Sequence, residues 1–186
     1  ELEKAGWKAE MQSTEWQGFS VQNIIASRSE ATPRYIIGAH YDNRLLADQD
    51  EGQGRNSPVP GANDGASGVA ILLELARTLP SNGVSVWLVF FDAEDNGGLD
   101  NRQWIMGSRV FVSTLQEKPQ AAIIVDMVGD ADLNLYLEEN SNRSLALDIW
   151  SKANELGYGM YFIATPKFDM LDDHIPFKDA GIPAVD

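Results

Sequence analysis

Carboxylate side chains cluster directly after a strongly apolar stretch of this sequence. Residues 84–91 are mostly branched or aromatic, and Asp92, Glu94 and Asp95 follow within four positions. Like charges packed at the end of a buried strand repel one another, and their pKa values rise unless a cation lies among them. The cluster therefore indicates a site for a divalent metal ion, with a solvated acidic loop as the alternative.

Two further apolar stretches carry side chains that bind metals. Residues 34–40 end at His40, and residues 121–128 contain Asp126. Asp64 opens a segment with helical spacing of its apolar residues. Ligands in open α/β folds bind outside the carboxyl ends of parallel strands, so we expect these side chains to converge at one edge of a sheet.

The donor set defines the metal chemistry that is available. One histidine and several carboxylates, in a chain without cysteine, suit Zn²⁺ or a similar divalent ion. A catalytic zinc keeps three protein ligands and leaves a position for substrate or water. Glu94 and Asp95 are adjacent, so in an extended segment one can bind the metal while the other acts as acid or base. The alternative is that Glu94 only caps a helix or pairs with Arg102 or Arg109.

The elements that position these residues alternate between strands and helices. Apolar patterns predict strands at residues 7–15, 19–28, 34–40, 84–91, 121–128, 134–137, 160–164 and 182–185. Helical spacing predicts helices at residues 69–79, 107–115, 144–156 and 173–178, the last capped by Asp173. This order predicts a single α/β domain over residues 1–186, a three-layer sandwich with a largely parallel central sheet.

Composition excludes several classes of function. The 186 residues include 28 acidic and 14 basic side chains, for a formal net charge of −14. We expect no nucleic-acid partner, because phosphate binding needs a basic surface. No stretch reaches the roughly 18 apolar residues of a membrane span. Without cysteine, neither disulfides nor thiolate metal sites are possible.

Five motifs occur in an order that resembles the zinc aminopeptidase superfamily, which also contains the glutaminyl-peptide cyclotransferases. They are Gly38-Ala39-His40-Tyr41-Asp42, residues 60–68 (Pro-Gly-Ala-Asn-Asp-Gly-Ala-Ser-Gly), Phe91-Asp92-Ala93-Glu94-Asp95, Val125-Asp126-Met127-Val128-Gly129 and Asp172-Asp173-His174-Ile175-Pro176-Phe177. The resemblance spans about residues 20–186 and is closest to the bacterial glutaminyl cyclases.

This resemblance implies a zinc-exopeptidase fold, peptide or protein N termini as substrates, and a secreted, periplasmic or envelope-associated location. It also implies a chain trimmed at both ends, with the last strand and the Trp-His-Thr-like turn that carries the final zinc ligand beyond Asp186.

The resemblance implies a role for each site residue. The implied zinc ligands are a histidine and three acids: His40, Asp64, Asp95 and Asp126. Glu94 is the implied general acid/base, Asp172 contacts the substrate amine, and in the cyclases Asp126 is a substrate-side acid instead of a ligand. Trp104 and His174 are placed at the substrate pocket. Core packing is the alternative for Trp104, and a helix-start histidine satisfied by its neighbours is the alternative for His174.

Two reactions remain open on this scaffold. An aminopeptidase would use two zinc ions, with Glu94 passing the proton of water to the leaving amine. A glutaminyl-peptide cyclotransferase would use one zinc ion, with Glu94 moving a proton from the attacking amine to departing ammonia. Asp95 in place of the usual Glu and the loop that carries Trp104 favour the cyclotransferase, whereas His40 and Asp126 preserve dinuclear ligands. A catalytically inactive binding module of the same fold is the third possibility.

Overall fold

A mixed six-stranded sheet lies at the centre of the protein, whose computed structural model describes residues 1–81 and 83–186. Its strands are β1 (Lys8–Trp16), β2 (Phe19–Ser27), β3 (Tyr35–His40), β4 (Val86–Phe91), β5 (Ala121–Ile124) and β8 (Ala184–Val185). The spatial order is β1-β2-β4-β3-β5-β8. The pairs β1–β2 and β2–β4 are antiparallel. The pairs β4–β3, β3–β5 and β5–β8 are parallel. A second, two-stranded parallel sheet is formed by β6 (Leu135–Glu138) and β7 (Phe162–Phe168).

Helices cover both faces of the central sheet. They are α1 (Ala66–Thr78), α2 (Met106–Thr114), α3 (Arg143–Glu155) and α4 (His174–Asp179). Along β4, Leu88 and Phe90 pack with apolar residues of α1, while Val89 and Phe91 pack with aromatic rings of α2 and α4. Every residue of this strand therefore has an apolar environment, which explains why residues 84–91 lack polar alternation. The three-layer α/β prediction is confirmed.

Most strand and helix ends lie within three residues of the predicted ones, and the two largest differences are at the ends of β5 and β7. Strand β5 ends at Ile124, four residues before the predicted end at residue 128. The chain leaves the sheet there because the Asp126 carboxylate accepts a hydrogen bond from the amide of Met127, whose φ of 47° is left-handed. Strand β7 begins at Phe162 and continues to Phe168, beyond the predicted residues 160–164.

The predicted helix cap at Asp173 is wrong. Asp173 precedes α4, but its φ and ψ of −59° and −15° are helical, and its side chain makes no capping hydrogen bond. The carboxylate is instead fully buried.

Strand order brings the candidate residues together. Strand β3 lies between β4 and β5, and all three are parallel, so their carboxyl ends share one edge of the sheet. His40 at the end of β3 pairs in register with Phe91, just before the acidic cluster. Among the described helices, none has both the length and the apolar character needed to cross a membrane.

Candidate metal centre

His40 is the centre of the site. Its side chain is 1% exposed, and its Nε2 lies 3.0 Å from an Asp64 oxygen and 3.1 Å from an Asp126 oxygen. The three candidate ligand atoms all lie within 4.8 Å of one another. The structure thus brings three of the four predicted ligands into one group.

Two glycines allow Asp64 to approach the sheet edge. Gly65 has a φ of 86°, and a Cβ added there would lie 2.8 Å from the Asp42 carbonyl oxygen and 3.2 Å from the His40 ring. One turn along α1, a Cβ on Gly68 would lie 2.1 Å from the carbonyl oxygen of Val125. The start of α1 can therefore contact the ends of β3 and β5 only because these side chains are absent.

Asp42 organises the residues around His40, although the sequence analysis assigned it no role. Its carboxylate accepts hydrogen bonds from the backbone amides of Glu94 (3.0 Å) and Asp95 (3.3 Å) and from the Asn96 side chain (3.0 Å). It also lies 3.5 Å from His40 Nδ1. Burial alone would raise the pKa of Asp42, but His40 and the amide of Glu94 outweigh burial and hold that pKa below its usual value. Carboxylates that orient a metal-binding histidine in this way are common, and an Asp two residues after a candidate ligand was the available signal.

Glu94 and Asp95 occupy different environments. Burial raises the pKa of Glu94 to about 10, and the carboxylates of Asp173 and Asp172 add to that shift. Burial, followed by the charges of Asp64 and Asp42, raises the pKa of Asp95 to about 6. Asp95 therefore lies beside the group formed around His40 rather than inside it.

Among the described residues, no ion pair joins Glu94 to Arg102 or Arg109, the pairing that was one alternative for Glu94. The Arg102 guanidinium stacks over Phe19 with its carbon 5.1 Å from the ring centre. Arg109 donates a hydrogen bond to the Trp104 carbonyl oxygen. Both guanidinium groups thus have partners other than Glu94.

A bound zinc ion fits this set of donors. Nitrogen from a buried histidine and oxygens from nearby carboxylates are ligands that zinc takes in proteins. Around these donors, burial and neighbouring carboxylates raise the pKa values of Glu94, Asp95 and Asp172, an electrostatic arrangement that a divalent cation relieves.

A second acidic group lies beside the first. Asp172, His174 and Asp186 offer ligand atoms within 4.8 Å of one another. Burial, and then the charge of Asp126, raises the pKa of Asp172 to about 6. Burial also raises the pKa values of Asp173 and Asp186, two residues that received no site role from the sequence. Asp186 directly follows β8, and His40 ends β3. The expectation that site residues lie at the carboxyl ends of parallel strands therefore applies to Asp186 as well.

The two residues predicted for the pocket lie in different places. Trp104 is 38% exposed, and the Arg44 guanidinium stacks over its ring at 4.8 Å. His174 is fully buried at the start of α4, with Nε2 at 3.2 Å from a Glu138 oxygen. Burial lowers the pKa of His174. Neither ring nitrogen of His174 makes a hydrogen bond among the described residues, so the pocket role and the structural alternative both stay predictions.

Comparison with known proteins agrees with this geometry. Residues 23–186 match Peptidase family M28. The chain belongs to this family.

Solved structures of family M28 relatives share its fold. Porphyromonas gingivalis glutaminyl cyclase, whose crystal structure is known, has 37% sequence identity to this chain and superposes with a TM-score of 0.90. The match covers 100% of this chain and 70% of the cyclase chain. A Zn-dependent exopeptidase from Parabacteroides distasonis is 31% identical with a TM-score of 0.89, with coverage of 100% and 71%. Aminopeptidase YwaD of Bacillus subtilis is 27% identical over 178 residues, which are 87% of this chain and 34% of that protein. The chain spans between 34% and 55% of the length of three such curated relatives.

Membership in family M28 indicates an enzyme of the zinc metallo-type, and the names of the relatives indicate zinc as the metal. Those names include both cyclases and aminopeptidases.

Proposed function

We propose that the protein is a zinc-dependent enzyme acting on the N-terminal residue of peptides, and specifically a glutaminyl-peptide cyclotransferase. The surroundings of Glu94 carry this proposal. Its buried carboxyl group belongs to the residue next to Asp95, and burial followed by the charges of Asp173 and Asp172 raises its pKa. Similarity to bacterial glutaminyl cyclases that match the full length of this chain supports the same reaction.

His40, Asp64 and Asp95 would hold the zinc, which would supply a Lewis acid to polarise the side-chain amide carbonyl of an N-terminal glutamine. Asp172 and Asp126 would bind the α-amine, because burial and the charge of Asp126 raise the pKa of Asp172, and a hydrogen-bond donor between the two carboxylates would relieve their repulsion.

Glu94 would move the proton that the reaction requires. The α-amine nitrogen bonds to the side-chain carbonyl carbon, the bond from that carbon to the amide nitrogen breaks, and ammonia leaves. Glu94 takes a proton from the attacking amine and gives it to the departing nitrogen, so no water is consumed. Burial raises the pKa of Glu94 in the metal-free protein, and the positive charge of a bound zinc would lower that pKa toward the operating pH, where a general acid/base works best.

A co-catalytic zinc aminopeptidase is the second candidate. Asp64 contacts His40 on one side, and its charge raises the pKa of Asp95 on the other. A carboxylate between two potential ligand sets could bridge two zinc ions, which would activate water for hydrolysis. A binding module of the same fold is the third candidate, and the absence of zinc binding in a titration would support it.

A product assay separates the first two candidates. We expect the zinc-loaded protein to convert a Gln-initiated dipeptide amide into a pyroglutamyl product and ammonia, detected by mass spectrometry and an ammonia assay. A Leu-initiated dipeptide amide is the matched control and should remain intact. Release of free glutamine or leucine would instead establish the aminopeptidase.

A further inference from the structure

Arg44 is a buried arginine whose hydrogen-bonding capacity is fully used. It is 9% exposed and lies in the polar loop after β3. Its Nε and Nη2 donate to the two oxygens of Asp48 at 2.6 and 2.9 Å. Its Nη1 donates to the backbone oxygen of Asp95 at 2.5 Å, and both Nη atoms lie 3.4 Å from the backbone oxygen of Gly97. These contacts account for all five N–H groups of the guanidinium.

The same guanidinium also contacts the indole of Trp104. The distance from its carbon to the ring centre is 4.8 Å. The indole packs directly on the backbone at Gly97, where a Cβ would lie 2.2 Å from ring atoms. The Arg44 side chain therefore joins the half-exposed Trp104 to residues 94–97, here named the Asp95 turn.

Arg44 also supplies a positive charge close to the candidate ligand. Its Nη1 lies 4.0 Å from a carboxylate oxygen of Asp95. Arg44 thus contacts Asp95 through both its backbone and its carboxylate.

From these contacts we infer that Arg44, oriented by Asp48, is a positioning residue that sets both the direction of the Asp95 carboxylate and the pocket wall formed by Trp104. The inference rests on the proposed function, because it concerns the same zinc site and substrate pocket. Neither of its two tasks could be performed by lysine, whose ammonium lacks the planar fork that bonds a carboxylate with two parallel hydrogen bonds and stacks on a ring.

A second connection between the same loops explains why replacing Arg44 should change zinc and substrate binding and not only the stability of the fold. The Asn96 side chain accepts a hydrogen bond from the amide of Leu45 and donates to the Asp42 carboxylate. This connection remains when Arg44 is changed, so the loop stays attached while its fine position is lost.

The test compares Arg44→Lys with Arg55→Lys. Arg55 is an exposed arginine of the same loop that donates only to the backbone oxygen of Asp48 among the hydrogen bonds of the described residues, so it is the matched control. We expect Arg44→Lys to weaken zinc binding by about 10- to 100-fold, the usual effect of removing a group that orients a ligand. It should also raise KM for the Gln-initiated peptide and increase hydrogen exchange at the amides of Glu94 and Asp95 in the metal-free protein. Arg55→Lys should match the wild type in all three measurements.

Trp104→Leu separates the two tasks of Arg44. It should raise KM while leaving the zinc dissociation constant at the wild-type value. Wild-type zinc affinity, KM and exchange in Arg44→Lys would overturn the inference, as would an effect of equal size in Arg55→Lys. Failure of the proposed function has a different signature: the wild type would form no pyroglutamyl product, while Arg44→Lys would still show weaker zinc binding and faster amide exchange.

Discussion

At the scale of single residues, the adjacent acids Glu94 and Asp95 show how environment divides two roles. Both are buried, but Asp95 has the Arg44 guanidinium near its carboxylate, whereas the charges of Asp173 and Asp172 act on Glu94. The pKa of Glu94 is therefore raised further, to about 10, than that of Asp95, to about 6. The group that holds a proton more strongly is suited to proton transfer, and its neighbour is suited to metal binding.

The substitution Glu94→Gln should remove turnover and leave zinc bound. Glutamine keeps the size of the side chain but cannot accept and release the proton, so we expect kcat to fall by about 10²- to 10⁴-fold. Turnover and bound zinc should be measured on the same preparation, with Glu139→Gln on the exposed surface as the control. Loss of zinc in Glu94→Gln would mean that Glu94 is the ligand and Asp95 the acid/base.

At the scale of elements, the site depends on the close contact between α1 and the sheet. Asp64 lies on the turn before α1, while His40 and Asp126 lie at the ends of β3 and β5. Gly65 and Gly68 permit this contact, since a Cβ on either would overlap atoms of the sheet edge. The position of the metal donors is therefore a consequence of how a helix packs against two strands.

We expect Gly68→Ala to destabilise the protein and to weaken zinc binding together. The added methyl group would lie 2.1 Å from the Val125 carbonyl oxygen and 2.9 Å from the Ala39 side chain, so α1 and Asp64 must move away. Overpacking of this kind costs about 1–3 kcal/mol in the free energy of unfolding, measured by urea denaturation. Gly54→Ala is the matched control, because the nearest atom to its Cβ is a side-chain oxygen at 3.7 Å. Unchanged zinc affinity in a destabilised Gly68→Ala protein would contradict this link.

At the scale of the whole molecule, acids concentrated at one end of an acidic protein couple stability to pH and to metal. The formal net charge is −14, and the pKa values of Glu94, Asp95 and Asp172 lie above their ordinary values of 4.5, 3.8 and 3.8. In the metal-free folded state these groups keep protons that the unfolded chain releases. Stability therefore falls as pH rises from about 4 to about 6 through the two Asp residues, and further towards 10 through Glu94.

Thermal unfolding at about pH 5 and about pH 8 should reveal this coupling. We expect the Tm of the metal-free protein to decrease between these values, because His40, whose pKa is raised, acts in the same direction as the acids. His174, whose pKa is lowered, acts in the opposite direction but is a single group. Zinc competes with protons for the same side chains, so the increase in Tm caused by zinc should be larger at the higher pH. A metal-free Tm that increases with pH would contradict this account.

Much of the fold could be predicted because local patterns determine it. Continuous apolar runs gave the strands of a sheet buried on both faces, and helical spacing gave the four helices. The rule that parallel strands end at a common edge predicted that His40, Asp95 and Asp126 lie at one edge, with Asp64 beside them at the start of a helix. The structure brings His40, Asp64 and Asp126 into one group. The end of β5 was not predictable, since the backbone amide of Met127 donates a hydrogen bond to the Asp126 carboxylate, and this local bond competes there with the apolar pattern.

The amino-acid sequence alone therefore determined the fold class, the edge of the sheet at which chemistry occurs and the kinds of side chain that meet there. Only the tertiary structure decided that Asp42 orients His40, that Asp173 turns inward instead of capping α4, and that Arg44 joins the Asp95 turn to Trp104. These arrangements link residues distant in sequence or depend on which side of an element is buried. Periodicity records only whether a side chain is buried, whereas partners across the fold are set by strand order and by the distances at which the elements pack.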